Sequence, residues 1–339
     1  MKWFGLTHRA MHGRIGLALL FSTLLSTFAV LADEISSDAS QAEPGAQVRL
    51  RIVGSGYTMP VFVQPWAEEF EARSGISVEV LPTGTSTAPP ALLAGDAEIA
   101  AMTRPLHEAE ARALEQAFGG APLVWPVAED QVAVFVNREN PIEQLTLAEL
   151  DAVYSKARRC GATEDITRWG ALLTRAQIES TGWMANRAIS LFGRRTGSGT
   201  GSFFRERALC DGEFKDWMRI SPGRESAALG VAESKFGIGF GSLRDQKKGM
   251  KVVAIAETSD GPFVRPGEGS TGAASYALGR TLNFVIPVRG DVKTRKHVLD
   301  FLEFVYSESS QAGVVKVGFN SVNPELLKTR LDRIAELRS

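Results

Sequence analysis

Four times in this chain a strand-like run ends in a short loop of Gly, Ser and Thr, or of Thr and Arg, that opens a helix. The loops are Gly54–Thr58, Thr83–Thr87, Thr103–Arg104 and Arg194–Thr200. Strands that alternate with helices in this way predict an α/β fold with largely parallel strand pairing. Val48–Val53 alternates apolar residues with Arg49 and Arg51, as a strand does. Val63, Trp66, Ala67 and Phe70 then follow at helical spacing, with Pro60 in the first turn and Gly75 at the stop. Ile76–Val80 is a second strand, a short helix ends near Gly95, and Ile99–Met102 is a third strand. Glu108–Phe118 reads as a helix, followed by two separate apolar runs, Leu123–Ala128 and Val132–Val136.

Further on, Thr146–Glu149 is a capping box that starts a short helix. Ile189–Phe192 is a strand, Phe203–Ala208 and Ala227–Ala232 are helical, and Gly237–Gly241 and Val252–Ile255 are strands. Residues 258–275 are rich in loop formers. Leu282–Ile286 is a strand, Val298–Val305 a helix, and Pro324 opens a last amphipathic helix. Trp66, Phe70, Phe203 and Phe204 are core candidates, and His107 and His297 read as surface residues.

The N-terminus changes how the composition is read. Lys2, Arg9 and Arg14 precede the uncharged run Ile15–Leu31, which exits through Val30-Leu31-Ala32 into Asp33-Glu34. Residues 1–32 are therefore expected to be a cleaved export signal, and 33–46 a flexible leader. Cleavage removes three of the 38 Lys and Arg and none of the 39 Asp and Glu, leaving 35 against 39, a net −4 in place of −1. Of the four His only His107 and His297 remain. A mature chain of this charge presents no basic field for nucleic acid. Export places the two Cys in an oxidising compartment, so Cys160 and Cys210 are expected to pair. Closing a loop of about 50 residues contributes on the order of 4 kcal/mol. No cofactor and no metal site is expected: Cys and His are few and lack ligand spacing.

Each of the four loops is good anion chemistry. The first turn of a helix carries N–H groups without internal partners, and its dipole favours negative charge. Glycine lets a ligand approach the backbone, and an arginine fork fits an oxyanion. Gly197-Ser198-Gly199-Thr200 lacks the Lys of a P-loop, and Gly54-Ser55-Gly56-Tyr57-Thr58-Met59 lacks the third Gly of a dinucleotide fingerprint.

The ordered set GSGYTMP at 54–60, TGTST at 83–87, DAEIAAMTRPL at 96–106, GRRTGSGTGSFF at 193–204, GIGFGSL at 237–243 and YALGRTLNFVI at 276–286 resembles the periplasmic phosphate-binding proteins of phosphate ABC importers. The resemblance covers about residues 48–322. It implies a two-lobed, type II periplasmic binding fold, each lobe a mixed, mostly parallel sheet flanked by helices, closing on phosphate in the hinge cleft. Lobe one would comprise 47–130 and 274–339, and lobe two 131–273. The implied phosphate ligands are Tyr57 (through backbone N–H groups) and Thr58, Thr85 and Ser86, Thr103 and Arg104, and Arg194 with Ser198, Gly199 and Thr200. The implied partners are inorganic phosphate and inner-membrane permease subunits, for a periplasmic monomer without catalytic residues.

Two departures bear on the ligand. Some members place an aspartate in the third loop to accept the phosphate proton, but here Met102-Thr103-Arg104 has no acid; Asp130, Glu225 and a backbone carbonyl are the candidate acceptors. Thr196 stands where some members have an aspartate that orients the arginine. Sulfate or molybdate binding therefore stays open. So do two readings of another class, an exported phosphatase with Ser198 or Thr200 as nucleophile and a surface adhesin.

Overall fold

In the computed structural model, residues 49–339 are described apart from 57, 184, 222–223 and 268–275 and the side chains of 224–226. The expected export signal and leader, Tyr57 and the Glu225 side chain lie outside the described residues.

The chain starts as expected. β1 (Arg49–Gly54) leads to α1 (Pro60–Ser74), which Gly75 ends in the left-handed conformation that suits a residue without Cβ. β2 (Ser77–Leu81), α2 (Ala88–Ala94), β3 (Ile99–Met102) and α3 (Glu108–Phe118) follow. The two apolar runs expected next are one strand, β4 (Leu123–Asn137). The polar stretch Glu129-Asp130-Gln131 suggested a break, but the backbone pairs through it. β5 (Gln144–Thr146) and α4 (Leu147–Tyr154) carry the expected capping box, with Thr146 and Glu149 exchanging hydrogen bonds.

α5 (Arg175–Thr181) was not anticipated, although Thr174 and Gln177 form a capping box there. β6 (Ser190–Gly193), α6 (Gly199–Leu209), β7 (Arg219–Ile220), α7 (Arg224–Glu233) and β8 (Gly237–Ser242) come next. The single strand expected at 252–255 is two short ones, β9 (Met250–Val252) and β10 (Ala254–Ala256), which pair with β4 and β5 respectively. β11 (Gly279–Ile286), α8 (Val292–Val305), α9 (Glu308–Lys316) and α10 (Pro324–Arg338) complete the chain.

The strands form a mixed sheet in the order β2-β1-β3-β11-β4-β8-β6-β7. Parallel pairs occupy both ends, β1 with β2 and β3, and β6 with β7 and β8. The centre is antiparallel, because β11 returns between β3 and β4 and β4 then pairs with β8. β4 changes partner along its length: Leu123–Gln131 pairs with β11 and Val132–Val136 with β8. Hydrophobic packing divides at the same place. Trp66, Phe70, Trp125, Phe284 and Phe301 belong to one cluster. Val132, Val134, Tyr154, Phe203, Phe204, Phe240 and Leu278 belong to another. The four aromatics expected in the core are all buried.

The Cys160–Cys210 disulfide is formed and ties the segment after α4 to the end of α6. Among the described residues no helix is long and apolar enough to cross a membrane.

Candidate functional site

The four loops converge on one cavity of about 110 Å³. The first loop contributes Ser55, Gly56 and Thr58. It is held to the third strand by the Ser55 N–H, which donates to the Ala101 carbonyl at 2.9 Å. Ser55 Oγ accepts from the Met59 N–H at 3.0 Å, where α1 begins. The second loop is tied to the first through the Gly84 N–H, which donates to the Gly54 carbonyl at 2.7 Å. Thr85 (second loop) and Thr103 (third) both line the cavity, and their hydroxyls lie 2.9 Å apart.

The fourth loop supplies Arg194, Arg195, Gly197, Ser198, Gly199 and Thr200. Arg194 is buried and Arg195 is exposed. Ser198 is the N-cap of α6: its hydroxyl donates to the Arg195 carbonyl at 2.8 Å and accepts from the Gly201 N–H at 3.1 Å. The next N–H groups, on Gly199 and Thr200, are by position without an intrahelical partner and sit at the positive end of the helix dipole. Gly199 marks the tightest approach of the fourth loop to the second and third. A Cβ there would stand 1.8 Å from Thr103 Oγ1 and 2.5 Å from Thr85 Oγ1.

Three sequence-based assignments change. Arg104 is fully buried and does not line the cavity. Its two terminal nitrogens clamp Glu110 at 2.7 and 2.8 Å, so it braces the start of α3 instead of reaching a ligand. Ser86 does not line the cavity either; its hydroxyl donates to the Gly197 carbonyl at 3.3 Å, and Thr85 holds the wall position. Asp130, a candidate proton acceptor, is buried away from the cavity with both oxygens engaged, Oδ1 by Ser242 and Oδ2 by Arg280.

The wall also holds residues that sequence reasoning missed: Gly241 and Ser242 at the end of β8, and Asp245, a buried carboxylate. The signal was present in GIGFGS, but its strand character hid that its last residues open on the site. Among the described residues no group of three or more His, Cys, Asp or Glu is placed to hold a metal ion. Among the described residues the wall is made of hydroxyls, N–H groups, arginine and one carboxylate.

Glu110 reports how tightly Arg104 is held. Burial pushes its carboxyl up, but hydrogen bonds from Arg104 and the His107 N–H outweigh this and hold it below the ordinary carboxylate range. A depressed folded-state value adds stability above the unfolded carboxylate range, which is lost as pH falls through the folded value. Glu110→Gln should therefore be less stable than the parent at neutral pH, and the gap should close on acidification. Denaturant titrations at several pH values check this; a gap independent of pH would contradict it.

A model of the PBP superfamily domain matches residues 39–309. The chain belongs to the PBP superfamily. Within that superfamily it is 34% identical over 292 residues to the phosphate-binding protein PstS of Pseudomonas aeruginosa PAO1, covering 86% of this chain and 88% of that protein. It is 24% identical over 275 residues to PstS of Staphylococcus aureus USA300, covering 79% and 76%. Two solved PBP relatives share the fold. One is an ABC-type phosphate transport receptor from Vibrio cholerae (TM-score 0.62, 21% identity, 80% of this chain and 100% of that one). The other is a putative phosphate ABC transporter substrate-binding protein with bound phosphate from Clostridium perfringens (0.60, 23%, 81% and 100%).

Proposed function

We infer that this chain is a receptor for inorganic phosphate that delivers its ligand to an ABC importer. The observation that carries the reading is the convergence of Thr58, Thr85, Thr103 and the start of α6 on one small cavity that also holds the buried Arg194. Hydroxyls, helix-terminal N–H groups and a guanidinium are the donors that replace the water shell of a small tetrahedral anion. Homology to PstS supports the same ligand. In this reading the ligands are Thr58, Thr85, Thr103, Arg194, the backbone N–H groups of Gly199 and Thr200, and the Thr200 hydroxyl, with the N–H of Tyr57 as a further donor.

Two lobes hinge where β4 and β11 cross between them. The outward crossing lies at Gln131–Val132, where β4 changes partner. The return lies at about Gly279, because Tyr276, Ala277 and Leu278 pack with the second cluster. Closure on phosphate then creates the form that docks on membrane permease subunits. The apolar N-terminal run fits export to the periplasm, where the protein works as a monomer.

Among the described residues the hydroxyl of Ser198 is spent on its own helix cap, and no His lines the cavity to serve as its base. In this reading the protein binds phosphate without turnover. Equilibrium dialysis of the mature protein against labelled phosphate, with nitrophenyl phosphate hydrolysis assayed alongside, should show saturable one-to-one binding and no hydrolysis. Hydrolysis abolished by Thr200→Val would replace the receptor with an enzyme.

A further inference from the structure

Asp130 on β4 and Arg280 on β11 are cross-strand partners with side chains 2% and 1% exposed. A charge pair this deep is a weak source of net stability, since desolvation offsets the attraction. Its surroundings give it another use. Arg280 donates to Asp130 Oδ2 through Nε at 2.9 Å and Nη2 at 2.6 Å. Nη2 also donates to Thr200 Oγ1 at 3.1 Å, and Nη1 to the Thr103 carbonyl at 3.1 Å. The other Asp130 oxygen accepts from the Ser242 hydroxyl at 2.8 Å. Thr200 and Ser242 both line the cavity, whereas Asp130 and Arg280 do not.

A guanidinium only donates, and an ionised carboxylate only accepts. Thr200 Oγ1 therefore accepts a hydrogen bond from Arg280, and its own hydroxyl proton is left to turn towards the cavity. Ser242 is the reverse case: its one proton is spent on Asp130, so it can offer the cavity only lone pairs. We propose that the buried Asp130–Arg280 pair sets the hydrogen-bond polarity of the site, fixing Thr200 as a donor and Ser242 as the acceptor for a protonated ligand oxygen. The inference rests on the oxyanion reading above. A phosphate that keeps a proton has a P–OH to give to Ser242. Sulfate has only lone pairs, which meet those of Ser242 in repulsion. A site that leaves a ligand's polar group wrongly matched rejects that ligand strongly. Ser242 is thus a specificity-determining residue, and Asp130 and Arg280 are positioning residues that act through Ser242 and Thr200.

The test is competition of phosphate binding by sulfate in the mature chain and its variants. Ser242→Ala removes the acceptor and should lower the preference for phosphate over sulfate by about tenfold or more, through weaker phosphate and stronger sulfate binding. Thr200→Val removes a donor that both anions use, so it should weaken both and leave the preference near the parental value. Asp130→Asn offers Ser242 an amide donor, which frees the serine proton and should also admit sulfate. If the uncompensated Arg280 prevents that variant from folding, Ser242→Ala decides alone. Equal loss of both anions in Ser242→Ala, or no change in either, overturns the inference. So does a loss of preference in Asp245→Asn that Ser242→Ala does not reproduce. A parent chain that binds no phosphate overturns the oxyanion reading and this inference with it; the outcomes in Ser242→Ala overturn this inference alone.

Discussion

Arg194→Ala is expected to weaken phosphate binding by roughly thirtyfold to several thousandfold, while the fold survives. Arg194 is buried at the cavity wall, and a phosphate enclosed there has lost most of its water. Truncating one member of a desolvated, hydrogen-bonded charge pair costs about 2–5 kcal/mol, because the remaining charge stays buried without its counterpart. Arg195 provides the contrast. It also lines the cavity, but its side chain is exposed, where charge is screened by solvent. Arg195→Ala should cost less than about tenfold. Calorimetric titration of both variants checks the pair of expectations; equal, small losses would remove Arg194 from the ligand set.

Gly199→Ala is expected to have an effect of similar size by a different route. An added Cβ would stand 1.8 Å from Thr103 Oγ1 and 2.5 Å from Thr85 Oγ1, far inside contact distance. Those hydroxyls belong to short, buried side chains bonded to each other, so they have little room to retreat. Alanine is a better helix former than glycine, so α6 itself should not suffer. The start of α6 must instead stand off from the second and third loops. Phosphate affinity should fall by at least about a hundredfold, equivalent to about 2.7 kcal/mol. Thermal stability without ligand should stay close to the parent. Solution scattering in saturating phosphate should show the more open form. Parental affinity in Gly199→Ala would mean that this contact is no part of the ligand-bound state.

The local features were legible because local chemistry makes them. Gly75, Gly95 and Gly119 end helices in the left-handed conformation, and Thr146 with Glu149 caps one. The position of the four loops followed from such signals. What could not be read depends on distant partners. β4 looked like two strands because Asp130 interrupts its apolar run, and the group that makes that charge tolerable, Arg280, lies 150 residues further on. Arg104 looked like a ligand because it follows Thr103; Glu110, in the first turn of α3, claims it instead. Of the implied pair Thr85 and Ser86 only Thr85 reaches the wall, because adjacent residues in a tight turn face different ways, one into the cavity and one towards Gly197. GIGFGS reads locally as a strand, so the role of Ser242 at its end was hidden, and Asp245 carried no local sign of a site; such positions gain that role only from what packs beside them. The Thr174–Gln177 capping box was visible in sequence and simply lacked an apolar periodicity to draw attention to α5.

The central claim is that local donors, in a chain whose residues 33–339 carry a net −4, bind phosphate and discriminate among oxyanions. Isothermal calorimetry of residues 33–339 with phosphate, arsenate and sulfate in turn tests it most directly. The account predicts one site that binds phosphate tightly, takes arsenate as a protonated mimic, and gives no heat with sulfate in large excess. Binding of sulfate as tight as that of phosphate, or no binding of phosphate at all, would contradict it.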